Sequence, residues 1–326
     1  MGNFFDTNAP KFAQILVAIV VFFAVLGIVF FIAGRVNGKK QRPIAIVVFL
    51  GPAAVLLLAG LIIPAIQTIL FSFENANSNG FVGIQNYSWM IHNPDIHHVL
   101  LNTLLWIMFT PTLTTFIGLM LAVLLDRMKR ESIAKSLIFM PMAISFVGAS
   151  IIWKFVYSYA GQGQPQTGLL TAVVRLFGGT GANWILSKPL NTFLLMIIFI
   201  WVQTGFAMVI LSAAIKGVPA DIIEAAALDG SNGWNLFRRI TFPMVRSTFI
   251  VVLTTQVVVS LKLFDIVRTM TGGNFGTNVL ANEMYSQVFV QFDQGRGSAL
   301  AVTIFLCVTP ILIYNARNLR RERQNR

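Results

Sequence analysis

Charged residues are scarce in this sequence. They make up 11% of its 326 residues, while 56% are hydrophobic and 28 are phenylalanine. This composition excludes an ordinary soluble domain, in which about 25% of residues are charged. The formal net charge of +12 does not indicate a nucleic-acid-binding protein, because the lysines and arginines lie in short loops between apolar runs. That arrangement is the one that orients membrane proteins.

Cysteine and histidine are also rare. The single cysteine, Cys307, lies inside an apolar run, so an intramolecular disulfide is impossible. The three histidines, His92, His97 and His98, have no nearby cysteine and no regular helical pairing, and we expect solvated loop residues and no metal site. The sequence has no glycine-rich loop ending in Gly-Lys-Ser/Thr, and no nucleophile, base and orienting group on one side of a membrane. We therefore predict a chain that is not an enzyme and holds no cofactor.

Long apolar runs are the main feature that is present. A helix needs about 20 apolar residues to cross a bilayer, so the sequence predicts an all-α polytopic membrane protein with about seven transmembrane helices. The predicted spans are residues 12–34, 43–73, 99–125, 136–153, 189–215, 247–270 and 297–316.

The basic residues predict how these spans are oriented. The loops at 35–42, 127–135 and 216–246 hold 4, 4 and 4 lysines and arginines, and the tail from residue 317 holds 5. The opposite side holds only Lys11, Arg175, Lys188 and Arg296. Because cytoplasmic loops carry the excess of lysine and arginine, we predict an external N-terminus and a cytoplasmic C-terminus.

The loop at residues 216–246 is both polar and patterned as helix. Gly230 can take the positive φ that ends a first short helix. Ser231 or Asn232 can then cap a second short helix, and Pro243 is expected to end it. We refer to this segment as the polar loop and predict two short helices joined at Gly230.

The polar loop carries a family signature. Its fixed positions are Glu224, Ala225, Ala226, Gly230, Ile240 and Pro243. This spacing resembles the EAA signature of permease subunits of bacterial ABC importers, with Phe242 where leucine is usual. The segments FVGIQNYSWM, IFMPMAISFVGASIIWKF and GRGSALAV resemble the maltose-type carbohydrate uptake class, with disaccharide or α-glucoside permeases nearest. The resemblance begins near residue 44, so residues 1–43 are predicted to form an extra N-terminal transmembrane helix and basic cytoplasmic loop, and residues 44–326 the permease domain.

The resemblance implies a transport assembly in the bacterial plasma (inner) membrane. Its partners would be a second permease subunit, two cytoplasmic ATPases that bind ATP-Mg, an extracytoplasmic sugar-binding protein and membrane lipid, with no nucleic acid. Closure of the ATPases would move the helices as rigid bodies in ATP-driven alternating access. The residues expected to couple this chain to an ATPase are Glu224, Ala225, Ala226, Gly230 and Pro243.

The predicted sugar site lies on the two spans that flank the polar loop, near the membrane midplane. The resemblance and the local polar clusters point to Gln203, Thr204, Phe206, Thr255, Gln256 and Lys262. The alternative is that these side chains bond to neighbouring helices, which is a common use of threonine and glutamine in membranes.

Two other function classes remain open from the sequence. Lys262, Asp265 and Arg268 recur at three-residue steps, which places them on one face of a continuous helix. They are expected either to form a structural clamp around Asp265 or to line the ion path of an ion-coupled secondary transporter or channel. The third class is a membrane anchor without a pore.

Overall fold

The computed structural model of the chain describes residues 13–324, apart from positions 18, 26, 29–30, 32–40, 127 and 162. Within these residues the protein is built from helices and has no β-strand, and an isolated antiparallel bridge joins Glu74 and Phe81. The predicted all-α class is confirmed. The chain divides into two units, Met1–Gln67 and Thr68–Arg326, and the predicted division at residue 43 stays a prediction.

The first unit leads into a long apolar helix with one wide turn. Its elements are α1 (Ala13–Val25), α2 (Gln41–Leu57), the π-helical turn Leu58–Ile62 and the start of α3 (Ile63–Phe71). Across the turn, the Ile63 N–H donates to the carbonyl of Leu58. Pro64 follows and has no N–H to donate, so a local π-helical adjustment gives the nearby carbonyls other donors.

The second unit holds the remaining helices. They are α4 (Gln85–His92), α5 (Pro94–Leu125), α6 (Glu131–Phe139), α7 (Phe146–Val156), α8 (Leu169–Leu176), α9 (Leu190–Lys216), α10 (Ala220–Leu228), α11 (Gly233–Leu236), α12 (Phe242–Leu261), α13 (Asp265–Met270), α14 (Leu280–Phe289) and α15 (Gln294–Gln324).

Five helical segments in the described part of the chain are long and apolar enough to cross a membrane. They are Ile46–Phe71, Pro94–Leu125, Leu190–Lys216, Gly233–Leu261 and Gln294–Asn315. The bent pair formed by Glu131–Ala143 and Phe146–Val156 makes a sixth crossing if both arms belong to one span. The first predicted span, residues 12–34, lies partly outside the described residues, so the count of seven stays a prediction.

The predicted span at residues 136–153 is not one continuous helix. Helices α6 and α7 are bent by 100° relative to each other. Between them a 3-10 turn contains Pro141, which has no N–H to continue a helix. Ser145 then caps α7, since its side chain accepts a hydrogen bond from the Gly148 N–H at 3.1 Å. A proline and a helix cap therefore turn the chain inside a uniformly apolar run.

The predicted span at residues 247–270 is wrong in both its first and its last residue. The helix begins at Gly233 and ends at Leu261, and α13 starts separately at Asp265. Leu263, in the break, is buried in the same apolar cluster as residues of α13. Helix α12 ends here because the turn buries Leu263 together with the apolar side chains of α13.

The predicted helix end at Pro243 is wrong, because Pro243 lies near the start of α12, inside the helix that runs from Gly233 to Leu261. The π-helical turn Phe237–Thr241 precedes it, and the Phe242 N–H donates to the carbonyl of Phe237. The missing N–H of Pro243 is accommodated because the π-helical turn gives the nearby carbonyls other donors, as at Pro64. The second arm of the polar loop therefore continues into the next span.

Three apolar clusters hold the second unit together. The largest surrounds Trp106 and Phe199, whose ring centroids lie 6.3 Å apart in an edge-on contact, and joins α5, α7, α9 and α13. A second cluster joins α5, α9 and α12, and a third joins α4, α5, α14 and α15. Helices α5 and α9 therefore form the centre of this unit.

Helices α5 and α9 approach each other closely at Gly118. A Cβ atom at this position would lie 2.7 Å from the Ala207 Cβ and 2.9 Å from the Met208 nitrogen. Lipid supplies little hydrophobic driving force between membrane helices, so their association depends on van der Waals packing. Small residues such as Gly118 permit that packing because they let the two backbones approach closely. A larger side chain at Gly118 would push the two central helices apart.

Candidate transport site and polar loop

The polar loop turns at Gly230, as its sequence predicts. Gly230 has φ of +79°, and its N–H donates to the Ala227 carbonyl at 3.0 Å. The Ser231 N–H donates to the Ala226 carbonyl at 2.9 Å. These two bonds form a Schellman motif, which ends α10 and needs a residue with positive φ.

The surface of the polar loop combines an acidic residue with exposed apolar side chains. Glu224 and Ala225 are exposed, whereas Ala226 is buried. Leu228 is 90% exposed and Trp234 is 69% exposed. Among the described residues Glu224 forms no ion pair. Apolar side chains this exposed beside a free carboxylate are typical of a surface that contacts another protein.

A charged network ties the base of the polar loop to the end of α5 and the start of α6. Lys135 contacts Asp126 and the Ser212 hydroxyl, and its Nζ donates to Glu131 Oε1 at 2.6 Å. Ser212 Oγ donates to Asp126 Oδ1 at 2.8 Å. Lys216, the last residue of α9, pairs with Glu131. We call these five residues the charged network.

Open space separates α5 from the second arm of the polar loop. A cavity of about 100 Å³ is lined by Asp126, Gly233 and Phe237, among others. Asp126 Oδ2 is buried and has no hydrogen-bond partner in the described structure. A larger apolar cavity of about 610 Å³ lies between Met120 and Trp234. The loop therefore packs incompletely on α5, which leaves room for it to shift.

The predicted sugar-site residues lie on α9 and α12, which pack together, and at the end of α12. Thr204 Oγ1 donates to the Ile200 carbonyl at 2.6 Å, and Thr255 Oγ1 donates to the Val251 carbonyl at 2.8 Å. Both hydroxyl protons are thus used within their own helices, a common local bond of threonine.

The other four predicted residues have different environments. Gln203 and Phe206 are half-buried, and Lys262 is exposed at the end of α12. Gln256 is only 1% exposed, and its Oε1 atom has no hydrogen-bond partner within the described residues. None of the six predicted residues lines either cavity beside the polar loop. Their common role in sugar binding stays a prediction.

The predicted ionic face at Lys262, Asp265 and Arg268 is wrong. Lys262 follows α12 while Asp265 begins α13, so the three side chains do not share one helix face. No ion pair links them in the part of the chain that the structure describes. Instead, the Arg268 guanidinium lies 4.8 Å from the centroid of the Tyr285 ring, at cation–π distance.

This architecture of long apolar helices joined by an exposed, partly apolar loop is that of a multi-pass membrane protein. Residues 97–324 match the family described as binding-protein-dependent transport system inner membrane component. The chain belongs to this family, and it is a multi-pass inner-membrane permease of a binding-protein-dependent ABC importer. The predicted ABC importer permease is confirmed, and the alternatives of an ion-coupled secondary transporter or channel and of a membrane anchor without a pore are wrong.

Two similar permeases come from Rhizobium meliloti and Synechocystis sp.. The α-glucoside transport system permease protein AglF of Rhizobium meliloti is 49% identical over 275 residues, covering 84% of this chain and 82% of the relative. The osmoprotective compounds uptake permease protein GgtC of Synechocystis sp. is 47% identical over 278 residues, covering 85% of this chain and all of the relative.

A solved structure has the same fold. A crystallised bacterial ABC transporter that imports the acidic polysaccharide alginate superposes with a TM-score of 0.76, covering 87% of this chain and 97% of the other. The two sequences are 18% identical, so this likeness supports the fold and says nothing about the substrate.

Proposed function

We propose that this chain is the permease of an importer for a di- or oligosaccharide of the α-glucoside class. The observation that carries the proposal is its 49% identity to an α-glucoside permease across 84% of the chain. The relative named for osmoprotective compounds, at 47% identity, supplies the competing substrate class.

The sugar would bind between α9 and α12, at Gln203, Thr204, Phe206, Thr255 and Gln256, with Lys262 at the end of α12. Sugar hydroxyls need donors and acceptors beside an aromatic or apolar wall. The buried, unpartnered Oε1 of Gln256 supports this assignment, because a sugar hydroxyl could satisfy an acceptor that otherwise costs about 1–3 kcal/mol.

The polar loop would couple this site to ATP hydrolysis in partner subunits. Glu224, Ala225, Ala226, Gly230 and Pro243 are proposed to contact one of two cytoplasmic ATPases, which bind ATP-Mg, while a second permease subunit completes the pore. The basic loops support a cytoplasmic polar loop and C-terminus. An extracytoplasmic binding protein would deliver the sugar to the opposite face, and this chain itself would hold no cofactor.

The test is substrate uptake by the complete transporter in proteoliposomes with ATP and its binding protein. Radiolabelled maltose, trehalose and sucrose are the α-glucoside probes, and glycine betaine represents charged osmoprotective compounds. We expect ATP-dependent uptake of at least one of the three sugars. Uptake of glycine betaine alone would overturn the proposal.

A further inference from the structure

A polar cavity lies at the end of the second unit that is remote from the polar loop. Its volume is about 740 Å³, and it is bounded by the first turns of α5 and α9, the loop at residues 271–279 and α14. The polar groups that line it include Asp95, His98, Asn102, Lys188, Glu283 and Gln291. These charges are of both signs, so the lining does not favour a ligand of either charge.

The central helices hold one wall of this cavity in place. Asn102 Nδ2 donates to the carbonyls of Gly276 at 2.6 Å and Asn278 at 3.0 Å. From α9, the buried Asn191 donates through Nδ2 to the Phe275 carbonyl at 2.9 Å. Two asparagines on different helices therefore fix the loop that lines the cavity.

Some of the polar lining is already satisfied and some is free. Glu283 accepts hydrogen bonds from Asn278 at 2.6 Å and from Gln287 at 2.7 Å, one on each oxygen. Lys188 forms no ion pair with any described residue, and its side chain passes over Gly276, where a Cβ atom would lie 3.2 Å from the lysine Cε. Asp95 likewise has no described ion pair, and both side chains remain available to a ligand.

A neutral polyhydroxylated molecule fits this lining. Each sugar hydroxyl both donates and accepts, so it can use a carboxylate, an ammonium group and an amide in one cavity. Leu105 and Phe193 add apolar surface for the less polar face of a sugar ring. Ligand sites of about 300–1,000 Å³ hold small organic molecules, and the observed volume accommodates a di- or trisaccharide.

We propose that this cavity is an outer reception site for an α-glucoside di- or trisaccharide. The inference rests on the proposed function and on its orientation, in which this end faces the binding protein. It is separate from the proposed sugar site between α9 and α12, which we call the midspan site. Asn191 and Gln203 lie twelve residues apart on α9, or about 18 Å along the helix axis. The sugar would pass from the reception site to the midspan site along α9.

Protection of an introduced cysteine from a thiol reagent tests directly whether the sugar occupies the cavity. On a Cys307→Ser background in the reconstituted transporter, Leu101→Cys places a thiol in the cavity lining, and Val173→Cys on α8 is an exposed control outside it. We expect the α-glucoside that the wild type imports, added free, to slow labelling of Leu101→Cys and not of Val173→Cys. Slowing by the sugar-free binding protein alone, or no slowing by sugar, would overturn the inference.

The kinetics of sugar uptake by cavity variants give a second test of the proposal. Lys188→Met and Asp95→Asn should each raise the sugar concentration for half-maximal uptake by about tenfold, the effect of losing one charge-assisted hydrogen bond. Arg175→Met, exposed on α8 outside the cavity, should change nothing. If the wild type imports the sugar and the cavity variants match it, only this inference fails. If the wild type imports none of the three sugars, the proposed function fails as well.

Discussion

Replacing Lys135 with methionine should destabilise the folded permease, because it leaves a buried carboxylate without its cation. Lys135 and Asp126 are each only 14% exposed, and Lys135 also bonds Glu131 and Ser212. In Lys135→Met, Glu131 keeps Lys216 as a partner and Asp126 keeps the Ser212 hydroxyl. The lost stabilisation therefore concerns mainly Asp126, whose Oδ2 atom already lacks a hydrogen-bond partner among the described residues.

The size of this effect follows from burial. Removing one partner of a buried ion pair costs about 3–5 kcal/mol, and the remaining Ser212 bond and the partial exposure reduce this to about 2–3 kcal/mol. The matched control is Lys216→Met. Its side chain is 54% exposed, so the control should cost less than about 1 kcal/mol.

Denaturant titration of the purified permease in detergent, followed by circular dichroism, measures the difference. The double variant Lys135→Met with Asp126→Asn should recover at least half of the lost stability, because a neutral amide can still accept the Ser212 hydrogen bond and leaves no unpaired charge. Equal stabilities for Lys135→Met and Lys216→Met would refute the charged network as described.

Three further predictions concern coupling, topology and the sugar site. Glu224→Lys should abolish ATP-driven uptake while the protein still inserts into the membrane, and normal uptake with retained ATPase would contradict this. With Cys307 replaced by serine, an impermeant thiol reagent on intact cells should label Asn77→Cys and not Ser132→Cys; the reverse pattern would invert the topology. Gln256→Leu should lower sugar uptake at least about tenfold without loss of stability, because it removes a buried unpaired acceptor; unchanged uptake measured in proteoliposomes would make Gln256 purely structural.

The features that the sequence predicted correctly depend on local chemistry. The predicted span at residues 99–125 lies within α5, and the span at 189–215 matches α9 to within one residue at each end. Each is one uninterrupted apolar helix, so hydropathy alone defines it. The turn at Gly230 was predictable for a similar reason, because positive φ favours glycine in any protein.

The features that the sequence missed depend on long-range packing. The chain breaks after Leu261 because Leu263 is buried, and no local signal marks that burial. The Asp126–Ser212 bond joins residues that are 86 positions apart. Within the charged network, only Glu131 and Lys135 carried a readable signal, since oppositely charged residues four apart meet on one helix face.

Helix α9 links the polar loop, the charged network and the polar cavity. At 27 residues, it is about 40 Å long, and 61% of its most apolar stretch is buried. The polar loop follows its last residue, Ser212 and Lys216 near that end belong to the charged network, and Asn191 near its start donates to the loop that lines the polar cavity. The close contact at Gly118 resists sliding of α9 along α5. We expect a displacement applied at the polar loop to reach the polar cavity as a tilt of the paired helices, while the breaks at α6–α7 and α12–α13 accommodate the change in angle.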